Sequence, residues 1–153
     1  MTYLRKRQQQ ALTTSFSANV STQELRQQDG LTDITNSEIS YTTPTGKFDY
    51  VVFEYTVQYM RNPDTTNSFY YELREKIGSG SYAQLGNGYR VRVVGGSQNN
   101  MQDTISGRFY IPAYTGTRTY KMTAIVENSN HECTLHTTRT PVVYSPIYQM
   151  YCI

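Results

Sequence analysis

The sequence has no tryptophan and only two cysteines, Cys133 and Cys152, among its 153 residues. Two cysteines cannot supply the set of bridges that staples small secreted domains, so both are expected to be reduced and to pack as small hydrophobes. The chain also lacks the core tryptophan and paired cysteines of an immunoglobulin domain, which weakens that alternative. Charge is scarce. Only 17% of residues are charged, and 14 basic against 12 acidic side chains leave a net +2, no basis for binding nucleic acid by bulk electrostatics. No apolar run approaches the roughly 20 residues that span a bilayer, so no membrane partner is expected. The N-terminus lacks the basic, apolar and small-residue succession of a secretion signal, and assembly in a cytoplasm is expected.

What the chain has is tyrosine, 15 of them beside 5 phenylalanines, and a period of two. The stretch 49–62 splits into one face of Val51, Phe53, Tyr55, Val57 and Tyr59 and another of Tyr50, Val52, Glu54, Thr56, Gln58 and Met60. This is the pattern of a long antiparallel strand with one side packed. Shorter strands are expected at 38–43, 68–77, 89–94, 104–111, 117–127 and 131–138, with a last apolar one over 142–153, separated by Gly-, Pro- and Asn-rich turns. Within 68–77 the packed face is Phe69, Tyr71, Leu73 and Ile77, and Glu72, Arg74 and Lys76 read as a solvated face. Gly78-Ser79-Gly80 and Gly86-Asn87-Gly88 are expected to bracket a loop. About eight short strands and no convincing helix after residue 38 predict an all-β, two-sheet antiparallel sandwich, a jelly roll with an extended N-terminal arm.

The arm is residues 1–37 and the sandwich residues 38–153. Residues 1–37 are polar and without sustained periodicity, apart from a possible short helix over Ser21–Gln28, capped by Ser21 or Thr22. The arm is expected to order on an assembly partner through Arg5, Lys6, Arg7, Leu12 and Phe16, the three cations facing acidic protein groups. On this reading the core begins near Ile39, and removing residues 1–37 leaves the melting temperature almost unchanged.

Candidate chemistry is thin. His131, Cys133 and His136 have the side chains of metal ligands, but on a strand the first two point to one side and His136 to the other, so no metal is expected. Gly78-Ser79-Gly80-Ser81-Tyr82-Ala83 matches a dinucleotide fingerprint, yet no helix can follow it to seat a phosphate. Glu54, Glu72 and Glu75 come with no nucleophile or base at a recognisable spacing, so no catalytic residue and no cofactor is assigned. Aromatic side chains on both faces of several strands, Tyr50, Tyr70, Tyr110, Tyr114 and Tyr120, exceed what one small core buries and are expected at an oligomer interface.

Three segments carry a resemblance: residues 39–46 (Ile-Ser-Tyr-Thr-Thr-Pro-Thr-Gly), 51–55 (Val-Val-Phe-Glu-Tyr) and 108–121, which runs from Arg108-Phe109-Tyr110-Ile111-Pro112 to Tyr120-Lys121. Together they resemble jelly-roll structural proteins of tailed bacteriophages, which are similar to the C1q and tumour-necrosis-factor fold. The resemblance implies a non-enzymatic virion component, a homo-oligomer that is generally a trimer, in contact with the major capsid protein or another virion protein. Being short and lacking a repetitive shaft, the chain fits a capsid decoration or cement protein. The alternative is the receptor- or glycan-binding head of a tail fibre or spike, using the loops 80–89 and 95–102.

Overall fold

The computed structural model describes residues 13–16, 22–61, 67–93, 102–127, 132–136 and 146–153. Its strands, in chain order, are β1 Thr13–Phe16, β2 Gln23–Arg26, β3 Thr32–Asp33, β4 Ile39–Thr42, β5 Tyr50–Arg61, β6 Asn67–Ile77, β7 Ala83–Val93, β8 Gln102–Pro112, β9 Thr117–Val126, β10 Glu132–Leu135 and β11 Ile147–Cys152. One 3-10 turn, Gln27–Asp29, is the only helical segment among the described residues. All pairings are antiparallel and fall into two sheets.

The first sheet is built on β5. One edge of β5 pairs along its length with β8, from Tyr50 opposite Pro112 to Met60 opposite Gln102. The other edge is shared: β11 takes Val51 to Thr56 and β10 takes Tyr59 to Arg61. Beyond them lie β1 on β11 and β2 on β10. The second sheet runs β7, β6, β9, with β3 and β4 side by side on the far edge of β9. The fold is a jelly-roll sandwich.

The alternation read from 49–62 holds on the packed side, where Val51, Phe53, Tyr55, Val57 and Tyr59 are all buried. They meet Phe69, Tyr71 and Leu73 of β6 and Tyr120, Met122, Ala124 and Val126 of β9. Tyrosine can serve as core because its hydroxyls find partners. The hydroxyls of Tyr55 and Tyr71 bond to each other across the sheets at 2.7 Å, and that of Tyr41 lies 3.3 Å from Cys152 Sγ. Tyr55 also needs space opposite. A Cβ on Gly107, its cross-strand neighbour, would lie 2.5 Å from the Tyr55 hydroxyl.

Several expectations are corrected. Within the helix expected over Ser21–Gln28, Gln23–Arg26 is instead a strand, because Leu25, 0% exposed, packs opposite Cys133 in the core, and Ser21 lies outside the described residues. Ile34 is likewise buried, so residues 22–37 belong to the sandwich and the core begins before Ile39. The structure of residues 1–12 lies outside the described residues. Gly86-Asn87-Gly88 is not a loop but part of β7, where the register shifts between Tyr71 and Leu73 and Gly86 adopts φ +68°. Ile77 is in phase with the core yet exposed, at the last rung of β6, opposite Arg118 of β9. Glu72 is not solvated. It is 2% exposed, accepting from Tyr70 Oη at 2.9 Å and Arg74 Nε at 2.8 Å, so the long side chains on either side cover it.

Candidate interaction surface

The outward side chains of β5, β8 and β11 lie in rows across the first sheet. Val52 sits between Tyr110 and Tyr151, and Glu54 between Arg108 and Gln149. Val52 is buried although it faces outward, whereas Tyr50 and Tyr110 remain 44% and 56% exposed. Their rings meet edge to face, with centroids 6.0 Å apart at 84°. Ile147 and Ile153 are exposed on the same face. Beside this apolar area Glu54 is held in place, accepting from Arg108 Nη2 at 3.1 Å and from Tyr151 Oη at 2.8 Å. The Arg108 hydrogen bond, helped by Tyr151, the Arg108 charge and Gln149, keeps the Glu54 carboxyl below the usual carboxylate range against the opposing effect of burial.

A second apolar opening lies along one side of the sandwich. β7 and β8 have no strand on their outer edges among the described residues. Between them Tyr89 points inward, stacked on Tyr71 at 5.7 Å and edge-on to Phe109 at 5.3 Å. It is nevertheless 48% exposed, and its partly buried companions Leu85 and Val91 line the same edge. Along this side Tyr89 is therefore the exposed aromatic, covering Tyr71 and Phe109, which stay buried beneath it.

Of the five tyrosines expected at an interface, Tyr50 and Tyr110 lie together on the exposed face. Tyr114 and Tyr120 do not reach the surface. Tyr120 is in phase with Met122 and Ala124 and donates to Glu75 Oε1 at 2.9 Å, and Tyr114 packs against it beneath the Arg118 guanidinium, 4.2 Å from its ring. Both belong to the core of the single chain. Tyr70 is half-buried on the outer face of the other sheet, donating to Glu72 across Gly88, where any Cβ would meet its ring. Of the arm residues, Phe16 pairs with Ile147 in β1, whereas Arg5, Lys6, Arg7 and Leu12 lie outside the described residues.

The loops assigned to the alternative reading change too. Residues 83–89 are strand, and 94–101 lie outside the described residues. Among the described residues no group of three or more His, Cys, Asp or Glu side chains could hold a metal, and no helix is long and apolar enough to cross a membrane. His131 lies outside the described residues. The Gly78–Gly80 turn leads into β7 and offers no helix terminus to a phosphate. Glu54, Glu72 and Glu75 are each bound to an arginine rather than to one another. Sequence reasoning missed Tyr151, Ile147 and Ile153, which a period of two carried through β11 exposes. Tyr89 was included only as the end of the loop 80–89, whereas it lies within the edge strand β7.

No protein family matches the chain, and no curated protein does. Solved structures do. A chain from the structure of infectious bursal disease virus Gx strain is similar with a TM-score of 0.51 at 8% identity over 95% of this chain, which spans 38% of that chain's length. Eiger TNF from S. frugiperda gives 0.47 at 9% identity, covering 91% of each chain, and murine APRIL at pH 5.0 gives 0.40 at 12% identity, covering 94% of this chain and 99% of the other. At such identities what is shared is the fold, a two-sheet jelly roll.

Proposed function

We propose that the chain is a non-enzymatic structural protein of a virion: a trimeric decoration or cement protein on a bacteriophage capsid. The observation that carries this reading is a pair of unlike apolar surfaces on one small domain, the Tyr50–Tyr110 face and the Tyr89 edge. Exposed apolar surface of this kind marks a contact. Two different surfaces that fit each other make a heterologous contact, which closes into a ring when the rotation permits. In this arrangement the β7–β8 edge of one copy covers the β5–β8–β11 face of the next. The short segments that resemble phage structural proteins support the virion setting. Anchoring falls to residues preceding β1, with Arg5, Lys6 and Arg7 meeting acidic groups on the capsid and Leu12 adding apolar contact.

Sedimentation of the full chain at micromolar concentration tests the assembly. A trimer is expected, and Tyr50→Ser combined with Tyr110→Ser should give folded monomer with an unchanged circular dichroism spectrum. A stable, monodisperse wild-type monomer would refute the assembly. Particle stoichiometry tests the role: hundreds of copies are expected, and a few copies at one vertex or on the tail would overturn decoration in favour of a fibre head.

A further inference from the structure

β10 connects β2 to the rest of the first sheet along only three residues of β5, with Cys133 opposite Arg61, Thr134 opposite Met60 and Leu135 opposite Tyr59. One more rung follows, the His136 N–H donating to the Gln58 carbonyl at 3.0 Å. At that rung the chain turns through φ +58°, a left-handed conformation uncommon outside glycine, which histidine enters more readily than most residues. The imidazole is 1% exposed, and among the described residues neither Nδ1 nor Nε2 has a hydrogen-bond partner. Gln58 is 7% exposed and its Oε1 is likewise without a partner among the described residues. A left-handed turn and buried polar atoms without partners among the described residues thus coincide at one corner, which calls for an explanation.

Among the described side chains of the surrounding elements no charge compensates. On β2, Glu24 and Arg26 pair with each other at 2.7 Å, β5 presents the neutral Gln58, and on β10 burial pushes the Cys133 thiol up to about 12. Burial is the whole cause of the shift at His136, whose pKa is lowered to about 4.

We propose that His136 is an acid-sensitive latch, which holds the β10 end against β5 while neutral and releases the β2–β10 pair once protonated, because an imidazolium finds no anion among the described residues of that corner. The proposal stands apart from the assembly reading. Its sign follows from the depressed value: the closed corner is favoured fully above the ordinary histidine range and loses its advantage as pH falls toward about 4. With an open-state pKa of about 6.5, the ratio of open to closed forms rises about 20-fold between pH 7 and pH 5.

Cys133, buried beside the seam, is a built-in reporter. Wild-type protein is treated with 4,4′-dithiodipyridine across this range, rates are normalised to the unfolded chain at each pH, and adducts at Cys133 are located by peptide mapping. The expected result is a rise of about 20-fold for wild type and less than about 2-fold for His136→Asn, since asparagine tolerates the left-handed turn and does not titrate. An equal acid response in both proteins overturns the latch. Should the variant fail to fold, hydrogen exchange of wild type decides: Leu25 and Leu135 amides are expected to lose protection in acid while Phe109 keeps it, and uniform loss overturns the proposal.

Discussion

Replacing Leu25 by alanine tests whether the polar N-terminal stretch is part of the fold. Leu25 is buried opposite Cys133 and belongs to the same apolar cluster as Leu135 and Val126. Removing about three methylene equivalents at about 0.8 kcal/mol each loses about 2.4 kcal/mol of transfer free energy. The cavity left between two sheets raises the total to about 3 kcal/mol, within the usual span for such truncations. For a domain of this size that lowers the melting temperature by about 6–12 °C. Thermal and urea unfolding followed by circular dichroism measure it, with Leu31→Ala, an exposed site, as a control expected to cost less than about 1 kcal/mol. Deleting residues 1–37 removes Ile34 as well and strips β1, β2 and β3 from both sheets. The loss is then comparable to the whole stability of a domain, about 5–15 kcal/mol, and the truncated chain is expected not to fold. A Leu25→Ala protein melting within about 2 °C of wild type, or a soluble, cooperatively melting deletion, would refute the reasoning.

Gly107→Ala places a methyl 2.5 Å from the Tyr55 hydroxyl, which is itself tied to Tyr71 at 2.7 Å, so the ring cannot swing away freely. A loss of about 1–3 kcal/mol is expected from urea titration, and wild-type stability would show that the ring relocates at no cost. Cys133 and Cys152 are both free and buried, so at pH 7 and above both should be protected from thiol reagents in the folded protein, and a non-reducing mass spectrum with the two bonded together would contradict their being free. Cys152→Ala removes the sulfur beside the Tyr41 hydroxyl and is expected to cost about 1–2 kcal/mol without preventing assembly.

The sandwich was legible wherever a strand keeps one face dry. β5 and β6 announce themselves by period two, and inward residues named from that period, among them Phe53, Val57 and Leu73, are buried. Legibility failed where burial depends on a distant partner. Leu25 stands in a polar stretch and looks incidental until Cys133 and Leu135 arrive beside it from the far end of the sequence. Tyr114 and Tyr120 looked surplus to one small core because the count of tyrosines ignored hydroxyl partners such as Glu75, which let a polar-tipped ring stay inside. Of the candidate surface, Tyr50 and Tyr110 were legible as outward aromatics on paired strands. Tyr89 was not, since its ring packs on core residues and its exposure comes from lying on the edge strand β7.

The shared edge of β5 bears on when the protein can fold. Phe53 is flanked by Phe109 on one side and Met150 on the other, and Tyr59 by Asp103 and Leu135. None of these neighbours is close in sequence, so each rung of the first sheet must close a long loop before any contact repays the entropy. The β6–β7 hairpin is the exception, since its strands are joined through the short turn at Gly78–Gly80. On a ribosome, then, β5 waits as a long, tyrosine-rich apolar strand with both edges bare until β8, β10 and β11 have emerged. During that interval two nascent chains side by side offer each other the pairing that the native fold reserves for itself, a hazard inherent in a sheet organised around one early strand and three late ones.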